Sequence, residues 1–321
     1  MSKLSTPPSN VSPPKNPSNL GVLAEASVSL SWSTVLGSRL SDYLELTKAR
    51  IAVMVLISVS VGFALASGNS VQLPLLGHAL FGIAMVAASS SALNQYLERR
   101  TDCLMPRTAD RPLPSGRLLV MEVVTFGLLS GVMGVFYLAC FVNWQTALLT
   151  GSTLLIYVFV YTPLKRSTSL CTAVGAIPGA LPPVLGWTAA GGALNTEVLS
   201  LFGILFLWQF PHFLAIGWLY REQYHRAGLK MLPFEHWNVT GFLAVGYALV
   251  LLPVSLLPSL CGLAGDTYFL TAVILGLGYL LCAVRFMQWE CSRTARGLLW
   301  SSLLYLPVLL FALTWDHFRL L

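Results

Sequence analysis

Asn94, Glu98 and Asp102 recur at every fourth position in the stretch NQYLERRTDCLMPRTADRPLPSG, residues 94–116. On a helix of 3.6 residues per turn each step of four drifts by only about 40°, so the three share one face. One amide and two carboxylates in a row are hard oxygen donors of the kind Mg2+ takes, its other positions going to water and phosphate oxygens. Pro106 discourages further helix. The loop after it carries Arg107, Thr108 and Arg111, all able to donate to a phosphate. Carboxylates for a metal beside donors for an anion describe a place for a diphosphate. Surface ion pairs of Glu98 with Arg99, Arg100 or Arg107 are the other reading of the same residues, and spacing alone leaves both open.

Two later segments carry similar groups. YTPLKRSTSL, residues 161–170, brings Tyr161, Lys165 and Arg166 together, and WQFPHFLAIGWLYREQYHRAGLKMLP, residues 208–233, brings Glu222 close to Arg221, Arg226 and Lys230. Glu222 is a candidate ligand for a second metal. His212 lies inside an apolar run, about 15 Å from Glu222 by helical rise. An ionisable residue at membrane depth is a functional candidate, and an imidazole there can ligate iron, accept a proton or serve as a hydrogen-bonded packing residue.

The elements that must position these residues are membrane helices. The chain is 55% apolar and only 10% charged, with positive mean hydropathy, far from the soluble average of about a quarter charged. An all-α polytopic membrane protein is expected. Nine segments are long and apolar enough to span a bilayer: 50–67, 74–97, 118–139, 144–163, 170–190, 198–219, 239–259, 267–287 and 297–315. The fifth contains GAIPGALPPVLGW, whose three prolines should kink or break it. Residues 1–40, rich in Pro and Ser, are expected to be a disordered tail, and residues 41–321 the transmembrane domain. Of the 19 Lys and Arg, all but Arg319 fall on the N-terminal side of this nine-span arrangement. This places the N-terminus and the loops with the chemistry in the cytoplasm and the C-terminus on the opposite side. The net charge of +6 is thereby explained by topology and calls for no nucleic acid. The cysteines at 103, 140, 171, 261, 282 and 291 have no metal-binding spacing and read as small apolar residues. The loop at 285–296, basic with Glu290 its one acid, is accounted for by orientation alone.

The three segments quoted above, in that order and on one membrane side, resemble the haem O synthase branch (protohaem IX farnesyltransferases) of the intramembrane UbiA-type prenyltransferases, over about residues 40–315. The MPRT, RPLP and PHF elements are similar to the haem branch rather than to its quinone-directed relatives. The resemblance implies a UbiA-type helical bundle. It also implies transfer of a farnesyl group from farnesyl diphosphate to the vinyl group of haem b, with addition of water, in a bacterial inner membrane or its mitochondrial counterpart. It implies Mg2+ at Asn94, Glu98 and Asp102, and diphosphate contacts from Arg107, Thr108, Arg111, Tyr161 and Lys165. His212 corresponds to the histidine of the PHF element. A haem A synthase or terminal oxidase is the implied downstream partner.

Two positions depart from the family pattern. Gln223 stands before Tyr224 where an Asp is usual, which leaves Glu222 as the carboxylate for a second metal, and Cys171 stands where an Asn is common. Prenyl transfer to an aromatic quinone precursor remains the neighbouring alternative. A transporter for an anionic lipid or haem is the alternative of another class, although no internal repeat supports it.

Overall fold

A computed structural model describes residues 32–232 and 239–321 of the chain. It divides into a small unit ending at Asp42 and a large one, Tyr43–Leu321. Of the tail expected over residues 1–40, residues 1–31 lie outside the described residues and residues 32–40 are helical, as the start of α1 (Trp32–Leu46).

The regular structure among the described residues of the large unit is all helical, without strands. In chain order they form α2 (Ala49–Ser67), α3 (Leu73–Asp102), α4 (Val120–Phe141) and α5 (Trp144–Leu155), which continues through a π-helical segment (Ile156–Tyr161) and a closing turn (Thr162–Leu164). Then come α6 (Cys171–Ala180), α7 (Pro182–Ala189), α8 (Thr196–Leu219), the short α9 (Arg221–Arg226), α10 (Val239–Leu260), α11 (Asp266–Gln288) and α12 (Ser292–Leu320). Among the described residues, eight helices are long and apolar enough to cross a membrane, counting α5 with its continuation.

They coincide with eight of the nine expected spans; the fifth is split into α6 and α7. Pro182 and Pro183 supply no amide hydrogens, so the helix cannot continue across Leu181. The two halves together still run the length of the bundle. Cys171, at the start of α6, donates its thiol to the Lys230 carbonyl. Near the far end of α7 the Thr188 carbonyl accepts from Asn143 in the α4–α5 turn.

Small residues set the closest approaches. A methyl on Gly62 of α2 would overlap the Pro183 carbonyl, and one on Gly186 of α7 would overlap the Val59 carbonyl, so α2 and α7 touch backbone to backbone. In a bilayer, where apolar surface gains little by leaving lipid, such close contact is a main source of helix association. Gly127, Gly131 and Gly134 of α4 make room for side chains of α3, Leu93, Ser89 and Val86. The largest core cluster joins α8, α10, α11 and α12 around the buried rings of Tyr268, Tyr279 and Tyr305. The ends of α8 and α11 meet where Trp218 packs edge-on to Phe286, 5.9 Å between centroids. The loops that follow both helices therefore lie at one end of the bundle.

Candidate active site

α3 is thirty residues long, about 45 Å, and so extends beyond the roughly 30 Å hydrocarbon layer. Its last two turns carry the opening face. Asn94, Glu98 and Asp102 are all buried, and all line a pocket of about 170 Å3. Each is engaged by a cation or a polar group from another segment. Lys165 donates its ammonium to Glu98 Oε1 at 2.7 Å, and Arg111 donates to Asp102 Oδ2 at 2.7 Å. Asn94 donates through Nδ2 to the Thr162 hydroxyl at 3.1 Å and receives the Lys48 ammonium on Oδ1 at 3.4 Å. Glu98 thus pairs with Lys165 rather than with Arg99, Arg100 or Arg107.

The π-helical segment aims the second group of residues. Pro163 withholds the donor that the residue 159 carbonyl would need, its ring presses on that carbonyl, and the preceding turn widens. Tyr157 and Tyr161 then sit with ring centroids 5.1 Å apart, and both line the pocket. Lys165 lies 4.3 Å from the centre of the Tyr161 ring. Burial alone would lower the Lys165 pKa, but Tyr161 and Glu98 beside it hold it above the ordinary lysine value, so the ammonium is retained. Tyr161 in turn lies on the bare backbone of α6, where a methyl on Gly175 would come within 2.6 Å of its ring. Gly175→Ala should therefore displace Tyr161 and lower kcat/KM by about a hundredfold, the scale on which small misplacements act; steady-state kinetics at several prenyl donor concentrations checks it.

The other arginine of the loop is held from α9. Arg107 donates to the Tyr224 hydroxyl at 3.0 Å and lies over the Tyr220 ring at 4.7 Å. Lys48, Arg107, Arg111 and Lys165 line the pocket against two carboxylates, an excess of positive charge suited to a multiply charged anion. No group of three His, Cys, Asp or Glu side chains able to hold a metal occurs among the described residues. Two carboxylates and an amide are what the site offers, and that set fits Mg2+, which needs only one or two carboxylates when water and phosphate oxygens complete its shell.

Several expected residues stand elsewhere. Glu222 is exposed and does not line the pocket, whereas Tyr224 does. Two residues apart on a helix is a rotation of about 200°, so the two cannot face the same way. Thr108 lines the pocket, but its hydroxyl donates to the Asp102 carbonyl at 2.9 Å, which commits its single proton to holding the loop. Arg166 is exposed and donates to the Leu97 carbonyl at 3.3 Å. Lys230 has an exposed side chain and joins the site through its backbone, whose N–H donates to the Lys165 carbonyl at 2.8 Å.

His212 sits apart from the pocket, on α8, stacked on Trp208 with centroids 5.2 Å apart and bonded through Nδ1 to the Ser302 hydroxyl at 2.7 Å. Ser302 gives its own proton to the Leu299 carbonyl at 2.6 Å, so Nδ1 is the protonated nitrogen and Nε2 keeps its lone pair.

Besides Tyr224 and the apolar Met105, Leu229 and Met231, two pocket residues carry chemistry that sequence reasoning does not assign to the site. Lys48, at the junction of α1 and α2, reads there as a topology charge; it has φ of 51°, the one non-glycine residue with positive φ among those described. Tyr157 is hidden in an apolar run, with only its spacing of four from Tyr161 as a signal.

The profile of the UbiA prenyltransferase family matches residues 55–304. A Protoheme IX farnesyltransferase of Solibacter usitatus is 44% identical over 279 residues, covering 84% of this chain and 96% of the relative. Another, of Koribacter versatilis, is 40% identical over 295 residues, covering 88% and 95%. Among solved structures, a digeranylgeranylglyceryl phosphate synthase superposes with a TM-score of 0.76 at 17% identity, covering 88% of this chain and 99% of that one. A UbiA homolog from Archaeoglobus fulgidus bound to GPP and Mg2+ superposes at 0.61 and 17% identity, covering 85% and 99%. With most of its length matched by the family profile and by relatives of this identity, the chain is an integral membrane protein that belongs to the UbiA prenyltransferase family.

Proposed function

We propose that this chain transfers the farnesyl group of farnesyl diphosphate to a vinyl group of haem b, giving haem O and diphosphate. The observation that carries the prenyl-transfer half is the pocket at the end of α3, where Glu98 and Asp102 are interleaved with Lys48, Arg107, Arg111 and Lys165. The choice of haem as acceptor rests on the relatives named Protoheme IX farnesyltransferase.

In this reading Asn94, Glu98 and Asp102 hold Mg2+, which when bound neutralises charge on the diphosphate. Lys165, Arg107 and Arg111 bind the diphosphate oxygens and stabilise the charge that grows as the allylic carbon–oxygen bond breaks. The bonding electrons leave with the diphosphate. Tyr161 and Tyr157 present ring faces to the cationic allylic carbon. One vinyl carbon of haem bonds to that carbon with the vinyl π pair, water adds to the other vinyl carbon, now cationic, and a proton is released to solvent. His212, with Nε2 unprotonated, is the proposed contact for haem iron. The site faces the cytoplasm of a bacterial inner membrane, or the equivalent matrix side in a mitochondrion, because all Lys and Arg but Arg319 fall on that side of the spans. The product would pass to a haem A synthase or a terminal oxidase.

Incubation of purified protein with haem b, farnesyl diphosphate and Mg2+ should give a heavier, more apolar haem by mass spectrometry. A farnesylated quinone precursor formed instead, with haem unchanged, would overturn the acceptor.

Lys48 extends the diphosphate site from a third segment. Lys48→Met should raise KM for farnesyl diphosphate by roughly tenfold with kcat little changed, the signature of lost ground-state binding. Lys48→Gly removes the charge but suits the left-handed backbone, so the same KM from both variants ties the effect to charge rather than to conformation.

A further inference from the structure

At the same end of the bundle, between helices that do not line the catalytic pocket, α11 and α12 part to leave a groove of about 390 Å3. Arg285 from the last turn of α11 and Arg293 from the first turn of α12 line it, with Trp289 from the linker and Cys282, Gly297 and Leu298 toward the membrane. Both arginines are exposed, and neither is paired with a carboxylate among the described residues. The nearest acid in sequence, Glu290, is engaged through Oε1 by the Gly241 N–H at 3.0 Å. Membrane orientation accounts for positive charge at this end, but not for two arginines facing one cavity with an apolar floor.

Unlike the catalytic pocket, the groove is lined by no carboxylate, so nothing in it would hold a divalent metal for a diphosphate. Its floor is open: a methyl on Gly297 would meet nothing within 4 Å. Trp289 is 61% exposed, as a ring at the membrane interface would be. Cationic groups at the rim over an apolar trough complement an amphipathic anion that carries its own tail.

We propose that this groove binds an anionic glycerophospholipid, its phosphodiester between Arg285 and Arg293 and the start of an acyl chain over Cys282 and Gly297. The site is independent of the prenyl-transfer reading, and its failure would leave that reading untouched.

Native mass spectrometry of the purified full chain in detergent, titrated with dioleoyl phosphatidylglycerol or dioleoyl phosphatidylcholine, tests it. The expected result is one phosphatidylglycerol retained per chain, with phosphatidylcholine weaker by about tenfold or more, as two arginines near an anionic headgroup provide. The pair Arg285→Gln and Arg293→Gln should remove that preference. Gly297→Trp, which fills the floor and leaves both charges, should weaken phosphatidylglycerol retention as well. Equal retention of the two lipids by the wild-type chain would overturn the proposal. So would unchanged phosphatidylglycerol binding in Gly297→Trp, which decides alone should the double variant fail to fold. Displacement of the lipid by millimolar inorganic phosphate would also sink it, since a free anion would then be sufficient.

Discussion

Asp102→Asn is expected to slow prenyl transfer by about a hundred- to a thousandfold, the scale seen when one preorganised electrostatic contact to a developing charge is removed. The substitution keeps the shape of the side chain and removes its charge from a position that is 1% exposed and 2.7 Å from Arg111. Two losses then coincide. The proposed Mg2+ site would lose one of its two carboxylates, and Arg111 would lose the partner that aims it. The chain should still elute as a folded species, because Thr108 holds the loop through the Asp102 backbone carbonyl and not through the side chain. Glu98→Gln should act similarly through Lys165. Excess Mg2+ should restore part of the rate in either variant, and a chelator should abolish it in the wild type. Full activity of Asp102→Asn would refute the metal assignment.

Gly186→Leu is expected to prevent assembly altogether. The first added carbon already overlaps the Val59 carbonyl on α2, a backbone atom that cannot swing aside. Overpacking in ordinary cores costs about 1–3 kcal/mol, and here no rotamer relieves it. The cost is therefore expected to take a large share of a typical stability of about 5–15 kcal/mol. Size-exclusion profiles of detergent extracts should show aggregate in place of the folded peak. Gly278→Leu provides the contrast, since a methyl there meets nothing within 4 Å, and it should elute like the wild type. A normal profile for Gly186→Leu would mean that α2 and α7 are not in backbone contact.

The membrane helices were legible because a run of about twenty apolar residues has few other fates. The face made by Asn94, Glu98 and Asp102 was legible because one helix carries all three. What lay beyond reach was set between segments. Glu222 and Tyr224 are two residues apart, and which of them turns inward depends on the phase of α9, a helix too short to declare its buried side. Lys48 resembles every other basic residue flanking a span until the α1–α2 junction bends it toward Asn94. The pairing of Glu98 with Lys165 joins positions far apart in sequence, while the nearer arginines, favoured by proximity along the chain, point elsewhere. His212 was visible as a polar residue in an apolar span, but its partner Ser302 sits unremarkably in the last helix.

The break between α6 and α7 gives one membrane crossing two mechanical lives. Below Leu181, α7 is clamped against α2 through glycine contacts that leave no room to slide. Above it, α6 bears on the Tyr161 ring through Gly175, and no continuous ladder of amide bonds ties it to the clamped half. A bulky acceptor wedged beside Tyr161 would therefore press on ten residues, held to α8 by the Gln209–Ala176 hydrogen bond, instead of on a whole transmembrane rod. Hydrogen exchange should register the difference as fast amides in α6 next to slow ones in α7. Equal exchange in the two halves would show that the double proline splits the helix without making a joint of it.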